Sequence, residues 1–173
     1  MSDVDKNKVY EALEKLGIIY DVVEHEAVFT VDDMERINIT SRGNVVKNLF
    51  VRNAKGNEHY LIVMHKDKKA NLSDVQKQLG CTKLSFASDE RLMKYLRLTK
   101  GSVTPLGVLN DESHSVVVVF DMDLVGMKRI GVHPNDNTAT VFLDFVDLKN
   151  LLESQNTRIV VISILSIIAD SSR

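Results

Sequence analysis

Lys47, the segment Gly101–Gly107 and His133 are the positions whose residue types and settings could do chemistry. Lys47 sits in "VVKNLFV", among valines and leucine. A lysine there either snorkels to the surface or points its ammonium into a cleft. Asn48 follows it, and in a regular strand the two side chains alternate to opposite faces. A loop or bulge at the strand's entry would let both face one site. The segment "KGSVTPLGVLND" holds one of only two prolines, Pro105, framed by Gly101 and Gly107 with Ser102 and Thr104 between. Proline biases Thr104 away from helical geometry, and the glycines allow backbone to approach a ligand closely. Such a loop either connects two elements or holds amides and carbonyls in one fixed pose around a reacting group. His133 precedes Pro134 and the polar string "NDNTAT", which suits a satisfied turn histidine as well as a site residue. Cys81 follows a helix-ending glycine and has no legible base partner, so a nucleophilic role has little support.

What is missing narrows the chemistry. There is no GxGxxG, no GxxxxGK[ST], no HExxH and no CxxC. The five histidines have no metal-like spacing, and no Ser–His–Asp order is legible. No metal and no cofactor is expected. The chain has 173 residues, is 44% hydrophobic and 27% charged, and carries a net charge of −2. This suits one domain over 1–173, with a core of about 18–165 and an N-terminal helix of about 3–16. The single cysteine excludes an internal disulfide and fits a reducing cytoplasm. No signal peptide is expected. The apolar run "IVVISILSIIA", residues 159 to 169, is eleven residues long, against the ~20 of a membrane span. Its first half reads as a buried last strand, and the rest as a tail for the body or a second subunit. Monomer and homodimer both stay open. The balance of charge argues against a nucleic-acid coat, but Lys66, Lys68 and Lys69 form a basic cluster, either a solvated loop or a local RNA contact.

The elements that must position these residues follow from periodicity and punctuation. Val9, Leu13 and Leu16 share a helical face that Gly17 ends. "IIYDVVEH" reads as a strand. Thr30 with Asp33 opens a short helix. "VVKNLFVRN" and "EHYLIVMH" flank a turn as a hairpin. "NLSDVQKQLG" is a helix closed by Gly80, "KLSFA" a strand, and Ser88 caps a helix over "DERLMKYLRL". "SVVVVF" is the strongest strand signal. "DMDLVGMKRIGV" reads as a link, "HPNDNTATVFL" as a turn entering a strand, and "DFVDLKNLLES" as an amphipathic helix. Hairpins mixed with crossing helices predict an α+β fold: a mixed, mostly antiparallel sheet, as a partly closed barrel surrounded by helices.

Together these segments resemble a known family. "VFTVDDM", "VVKNLFVRN", "LSFASDERLMKYL", "GSVTPLGVLND" and "HPNDNTATV" occur in the order of the YbaK/prolyl-tRNA synthetase-associated editing family, nearest its free-standing ProX (PrdX) branch. The similarity spans about residues 18 to 165. It implies the family's editing-domain fold and a trans-editing hydrolase that removes a wrong amino acid, alanine in this branch, from proline tRNA. It implies a functional lysine at Lys47 and a Gly-x-x-x-Pro loop, here Gly101, Ser102, Thr104 and Pro105 around Val103, that places the ester and the attacking water. It also implies substrate contacts at Asn48 and at His133, on the "HP" motif. From their motif neighbourhood, Phe29 and Val46 are expected as walls of a small apolar pocket. The expected partners are the acceptor end of tRNA(Pro) and prolyl-tRNA synthetase, with no membrane. The chain departs from the branch at Val46, Lys100 and Leu106, where threonine, proline and phenylalanine are common. Alternatives are a deacylase for cysteine or serine esters, a non-catalytic adaptor for tRNA or a synthetase, and a small-molecule esterase.

Overall fold

The computed structural model describes residues 2–165. Five α-helices, α1 (Ser2–Lys15), α2 (Val31–Arg36), α3 (Leu72–Leu79), α4 (Asp89–Leu96) and α5 (Phe145–Ser154), surround eight strands. The strands are β1 (Asp21–Glu24), β2 (Asn44–Arg52), β3 (His59–His65), β4 (Ser85–Phe86), β5 (Val116–Asp121), β6 (Ile130–Val132), β7 (Ala139–Leu143) and β8 (Ile159–Ile162). The sheet runs β1-β7-β6-β2-β3-β5-β8, with β4 beside β2. It is mixed: β2–β6, β3–β5 and β5–β8 are parallel, and the other four pairings antiparallel. Its end strands β1 and β8 do not pair, so the expected partly closed barrel is an open sheet.

The two faces of the sheet come from strand alternation. Leu61 and Val63 of β3 join Val116, Val118 and Phe120 of β5 in the larger core, where Val9 and Leu13 of α1 and Leu148, Leu151 and Leu152 of α5 pack. Tyr60, Ile62 and Met64 face the other way, against Val75 of α3 and Val119. Both faces of β3 are buried, which explains its unbroken apolar run. A third cluster, Val28, Met34, Ile39, Val45 and Phe142, seats α2.

Local signals act where the sequence places them. Asp33 N–H donates to Thr30 Oγ1 at 3.1 Å, Asp74 N–H to Asn71 Oδ1 at 3.1 Å, and Arg91 N–H to Ser88 Oγ at 3.2 Å. Gly80 ends α3 in the left-handed region at φ 68°. The β2–β3 turn is tied by Asn53 Oδ1, which accepts from the N–H groups of Gly56, Asn57 and Glu58.

One feature of the topology makes a site. β3 pairs with β2 along one edge, from Val46↔His65 to Arg52↔His59. The opposite edge is shared by two short strands, β6 at Asn44 and Val45 and β4 at Val51 and Arg52. Residues 46–50 therefore face a gap in the sheet. Asn44 N–H donates into this edge and Phe50 C=O accepts from it. By alternation, the N–H and C=O of Val46 and Asn48 point into the gap.

Candidate active site

The segment 99–111 fills the outside of this gap. Two turns of 3₁₀ helix, Lys100–Ser102 and Pro105–Asn110, are separated by extended residues. Thr104 is extended at φ −158°, as its place before Pro105 predicts. Its fully buried hydroxyl donates to His133 C=O at 2.7 Å and accepts from Leu106 N–H at 3.3 Å. Asn48 Nδ2 donates to Val103 C=O at 3.1 Å. The loop is thus bonded to β2 on one side and to the His133 turn on the other.

Between these parts lies a cavity of about 140 Å³. Phe29, Val46, Lys47, Asn48, Gly101 and His133 all line it. Lys47 and Asn48 reach it together without a bulge. The β2–β3 register is continuous, and the cavity sits at the strand's open edge, where side chains from both faces arrive. Ser102, Thr104 and Pro105 do not line it; they are buried behind the loop and fix its path. Val28, Met34 and Val103 add apolar wall, and Thr30, Val31 and Lys100 stand at the rim. Sequence alone did not single out these six as a group. Val28 and Met34 belong to the helix-bearing cluster that seats α2, a tertiary contact no local pattern announces.

The electrostatics suit an anionic or ester ligand. Lys47 is half-buried; burial lowers its pKa from 10.5, Lys69 lowers it further, and Asp67 opposes both. Burial also lowers His133, whose ring lies 6.3 Å from that of His25. The neutral His133 ring donates from Nδ1 to Ala139 C=O at 3.0 Å, which leaves Nε2 as an acceptor. Asn48 Oδ1 is buried and has no hydrogen-bond partner among the described residues, an acceptor for an incoming hydroxyl or amine. Among the described residues no group of His, Cys, Asp and Glu side chains could hold a metal ion.

The aminoacyl-tRNA editing domain model matches residues 25–151, which hold the whole cavity. The chain belongs to this family. Editing an aminoacyl-tRNA is hydrolysis of its ester bond, so this editing domain is an aminoacyl-tRNA hydrolase. The chain is 52% identical over 153 residues to the prolyl-tRNA editing protein ProX of Acetoanaerobium sticklandii, covering 88% of this chain and 93% of that protein. It is 34% identical to prolyl-tRNA synthetase associated domain-containing protein 1 of Danio rerio, over 90% of this chain and 85% of that one. A solved structure described as a candidate trans-editing enzyme for prolyl-tRNA synthetase shares the fold, with a TM-score of 0.69, 22% identity and coverage of 92% and 96% of the two chains.

Within this editing domain, two of the three departures from the ProX pattern line the cavity: Val46 makes its wall apolar and Lys100 adds a cation. Leu106 is fully buried in the main core and does not reach the cavity. The basic cluster is not a uniformly solvated loop. Lys68 is buried and ion-paired to Asp121 at 2.6 Å and Asp123 at 2.5 Å. Lys66 bridges Glu35 at 3.3 Å and Asp67 at 2.8 Å. Only Lys69 of the three is exposed. Lys66 and Lys68 are thus committed to ion pairs within the fold. No helix among the described residues is long and apolar enough to cross a membrane. Ile159–Ile162 forms the last strand, β8, but at the end of the sheet, where only Ile162 of the four is buried and Val161 is exposed, so the expected burial of this strand is corrected; residues 166–169 of the apolar tail lie outside the described residues.

Gly101 gives a direct test of the loop's fit. A Cβ there would lie 2.8 Å from Phe29 Cδ1 and 3.2 Å from Asn137 Nδ2. Phe29 is 71% exposed and can yield, so Gly101→Ala moves the ring over the cavity instead of unfolding the chain. We expect a loss of about tenfold or more in ester turnover from the displaced wall, with the thermal midpoint within a few degrees of wild type. A large fall in midpoint, or full activity, would contradict this placement.

Proposed function

We propose that this protein is a trans-editing deacylase that hydrolyses alanine from mischarged tRNA(Pro). The observation that carries this is the small cavity at the open edge of β2, with an apolar wall of Val28, Met34 and Val46, where Lys47, Asn48, Gly101 and His133 converge; the 52% identity to a prolyl-tRNA editing protein supports the choice of tRNA. The methyl group of alanine enters among Val28, Met34 and Val46. The backbone of Gly101–Val103 and the Asn48 amide hold the ester. Lys47 faces the carbonyl oxygen or the neighbouring phosphate and balances the negative charge that develops as water attacks. The ribose 2′-hydroxyl orients that water, and the bond to the ribose 3′-oxygen breaks to release alanine. His133 accepts a hydrogen bond from the α-amino group through Nε2. No protein nucleophile is needed.

The task has a physical rationale. A synthetase pocket that holds proline loses only ~1–3 kcal/mol on smaller apolar side chains, too little to exclude alanine. A second site that admits the smaller residue by sterics supplies the rest. The proposed partners are the acceptor end of tRNA(Pro) and prolyl-tRNA synthetase, in the cytoplasm.

The deciding experiment compares purified protein on Ala-, Pro-, Cys- and Ser-tRNA(Pro). We expect selective loss of alanine, with proline spared. Cleavage of cysteine or serine instead keeps the chemistry and overturns the substrate. No cleavage of any ester favours a non-catalytic adaptor, which tRNA binding without turnover would then reveal.

A further inference from the structure

A second cavity, of about 380 Å³, adjoins the first. The two share Asn48, Lys100 and Val103, so together they follow the open edge of β2 from Val46 to Phe50. Its volume lies within the ~300–1,000 Å³ of small-ligand sites. Its floor is Leu49, Phe50 and Leu92, and its rim carries Phe86 and Asp89.

Phe86 is 64% exposed on a strand only two residues long. The ring's base is nonetheless fixed. Phe86 pairs with Val51 in register, and the next residue, Ala87, donates its N–H to Phe50 C=O at 2.9 Å. A rigid backbone thus presents an aromatic face to solvent beside a cavity. Asp89, exposed in the first turn of α4, offers a carboxylate on the same rim, and exposed Lys100 a cation at the junction. A flat π-face, an acceptor for an exocyclic amine and a cation for a phosphate together match a nucleotide.

We propose that this second cavity binds the terminal nucleobase of the acceptor end, stacked on Phe86, while the aminoacyl ester occupies the first. The inference rests on the deacylase reading, which places the ester in the neighbouring cavity. The ribose then bridges the two at Asn48, whose buried Oδ1 is free to accept from a sugar hydroxyl. The adenine amino group faces Asp89, and Lys100 meets the 5′-phosphate. Continuity and charge complementarity select this occupant over an apolar protein surface, which would leave Asp89 and Lys100 without purpose in the cavity.

The test is single-turnover deacylation of Ala-tRNA(Pro) by wild type, Phe86→Ala and Phe86→Tyr, alongside chemical-shift titration of each with the trinucleotide CCA, which carries no ester. We expect Phe86→Ala to raise the half-saturating protein concentration about tenfold, with the loss falling there and not on the saturating rate constant. Phe86→Tyr, which keeps the π-face, restores affinity. Trinucleotide shifts should centre on Phe86, Ala87 and Asp89 in wild type and vanish in Phe86→Ala. Equal half-saturation in all three proteins, with deacylation intact, overturns the base site and leaves the function standing; Phe86 would then fit a contact with the synthetase. No deacylation by wild type overturns the function, and the base site is then decided by the trinucleotide shifts alone.

Discussion

Lys47→Ala lowers the saturating rate of ester hydrolysis by about a hundredfold or more while the circular dichroism spectrum and unfolding midpoint stay close to wild type. The asymmetry follows from where the ammonium sits. Lys47 is half-buried on β2, opposite Met64 in the pairing with β3, and burial with the nearby Lys69 already disfavours its charge. Removing it relieves a desolvated cation and breaks no ion pair among the described residues, so the fold has little to lose. In the proposed mechanism the reaction loses the cation that faces the developing negative charge. The pH dependence has a definite sign. Lys47 titrates below its ordinary 10.5 in the folded chain, so in the window below 10.5 the unfolded state holds the proton more tightly. The penalty on stability is therefore present at lower pH and is relieved as pH rises through that window. Activity moves the other way, because the ammonium is lost there. After subtraction of spontaneous hydrolysis, the alkaline limb should fall before 10.5, and Lys47→Arg, which stays charged, should shift it upward. Full activity in Lys47→Ala with an intact fold would remove Lys47 from the mechanism.

Much of this was legible in the sequence, and the reasons differ by level. The caps Thr30, Asn71 and Ser88 and the stop at Gly80 act within a few residues, so type and spacing suffice to read them. Pro105 sets Thr104 extended by a steric rule confined to one dipeptide. β5 is plain because four valines and a phenylalanine in a row fit a strand buried on both faces. β6 reads as part of a link in the sequence: it has three residues, one of them Gly131, and exists because β2 and β7 flank it. The sequence offers only a loop or bulge at the strand's entry to bring Lys47 and Asn48 into one cavity, yet β2 keeps a continuous register there. The real cause is that β6 and β4 are too short to cover one edge of β2. That gap is a property of pairing partners 33 to 86 residues away, invisible in "VVKNLFV" itself. The same blindness makes Lys68 look like a surface charge, since its partners Asp121 and Asp123 lie at and just after the end of β5, far along the chain.

Lys68→Ala is the second large effect, and it falls on stability. Lys68 is 7% exposed, and its ammonium touches Asp121, itself 1% exposed, and Asp123. It also donates to Ile164 C=O at 2.7 Å, while Asp121 Oδ1 accepts from Ile164 N–H at 3.1 Å. One ion pair therefore fastens the segment after β8 to the end of β5. Deleting one partner leaves a buried carboxylate without its cation, a loss of about 3–5 kcal/mol, or roughly 10 °C in midpoint for a chain of this size. Asp123→Ala should cost about 1 kcal/mol or less, because that carboxylate is 65% exposed and screened. Burial pulls the Lys68 pKa down, but its bonds to Asp121 and Asp123 outweigh this and raise it above 10.5. Its contribution is thus fully present below 10.5 and is lost only as pH rises through the higher folded value. Because Lys68 lies outside both cavities, Lys68→Ala assayed well below its midpoint should bind and deacylate Ala-tRNA(Pro) like wild type. An unchanged midpoint with weakened, less salt-sensitive tRNA binding would instead return Lys68 to the RNA-contacting surface.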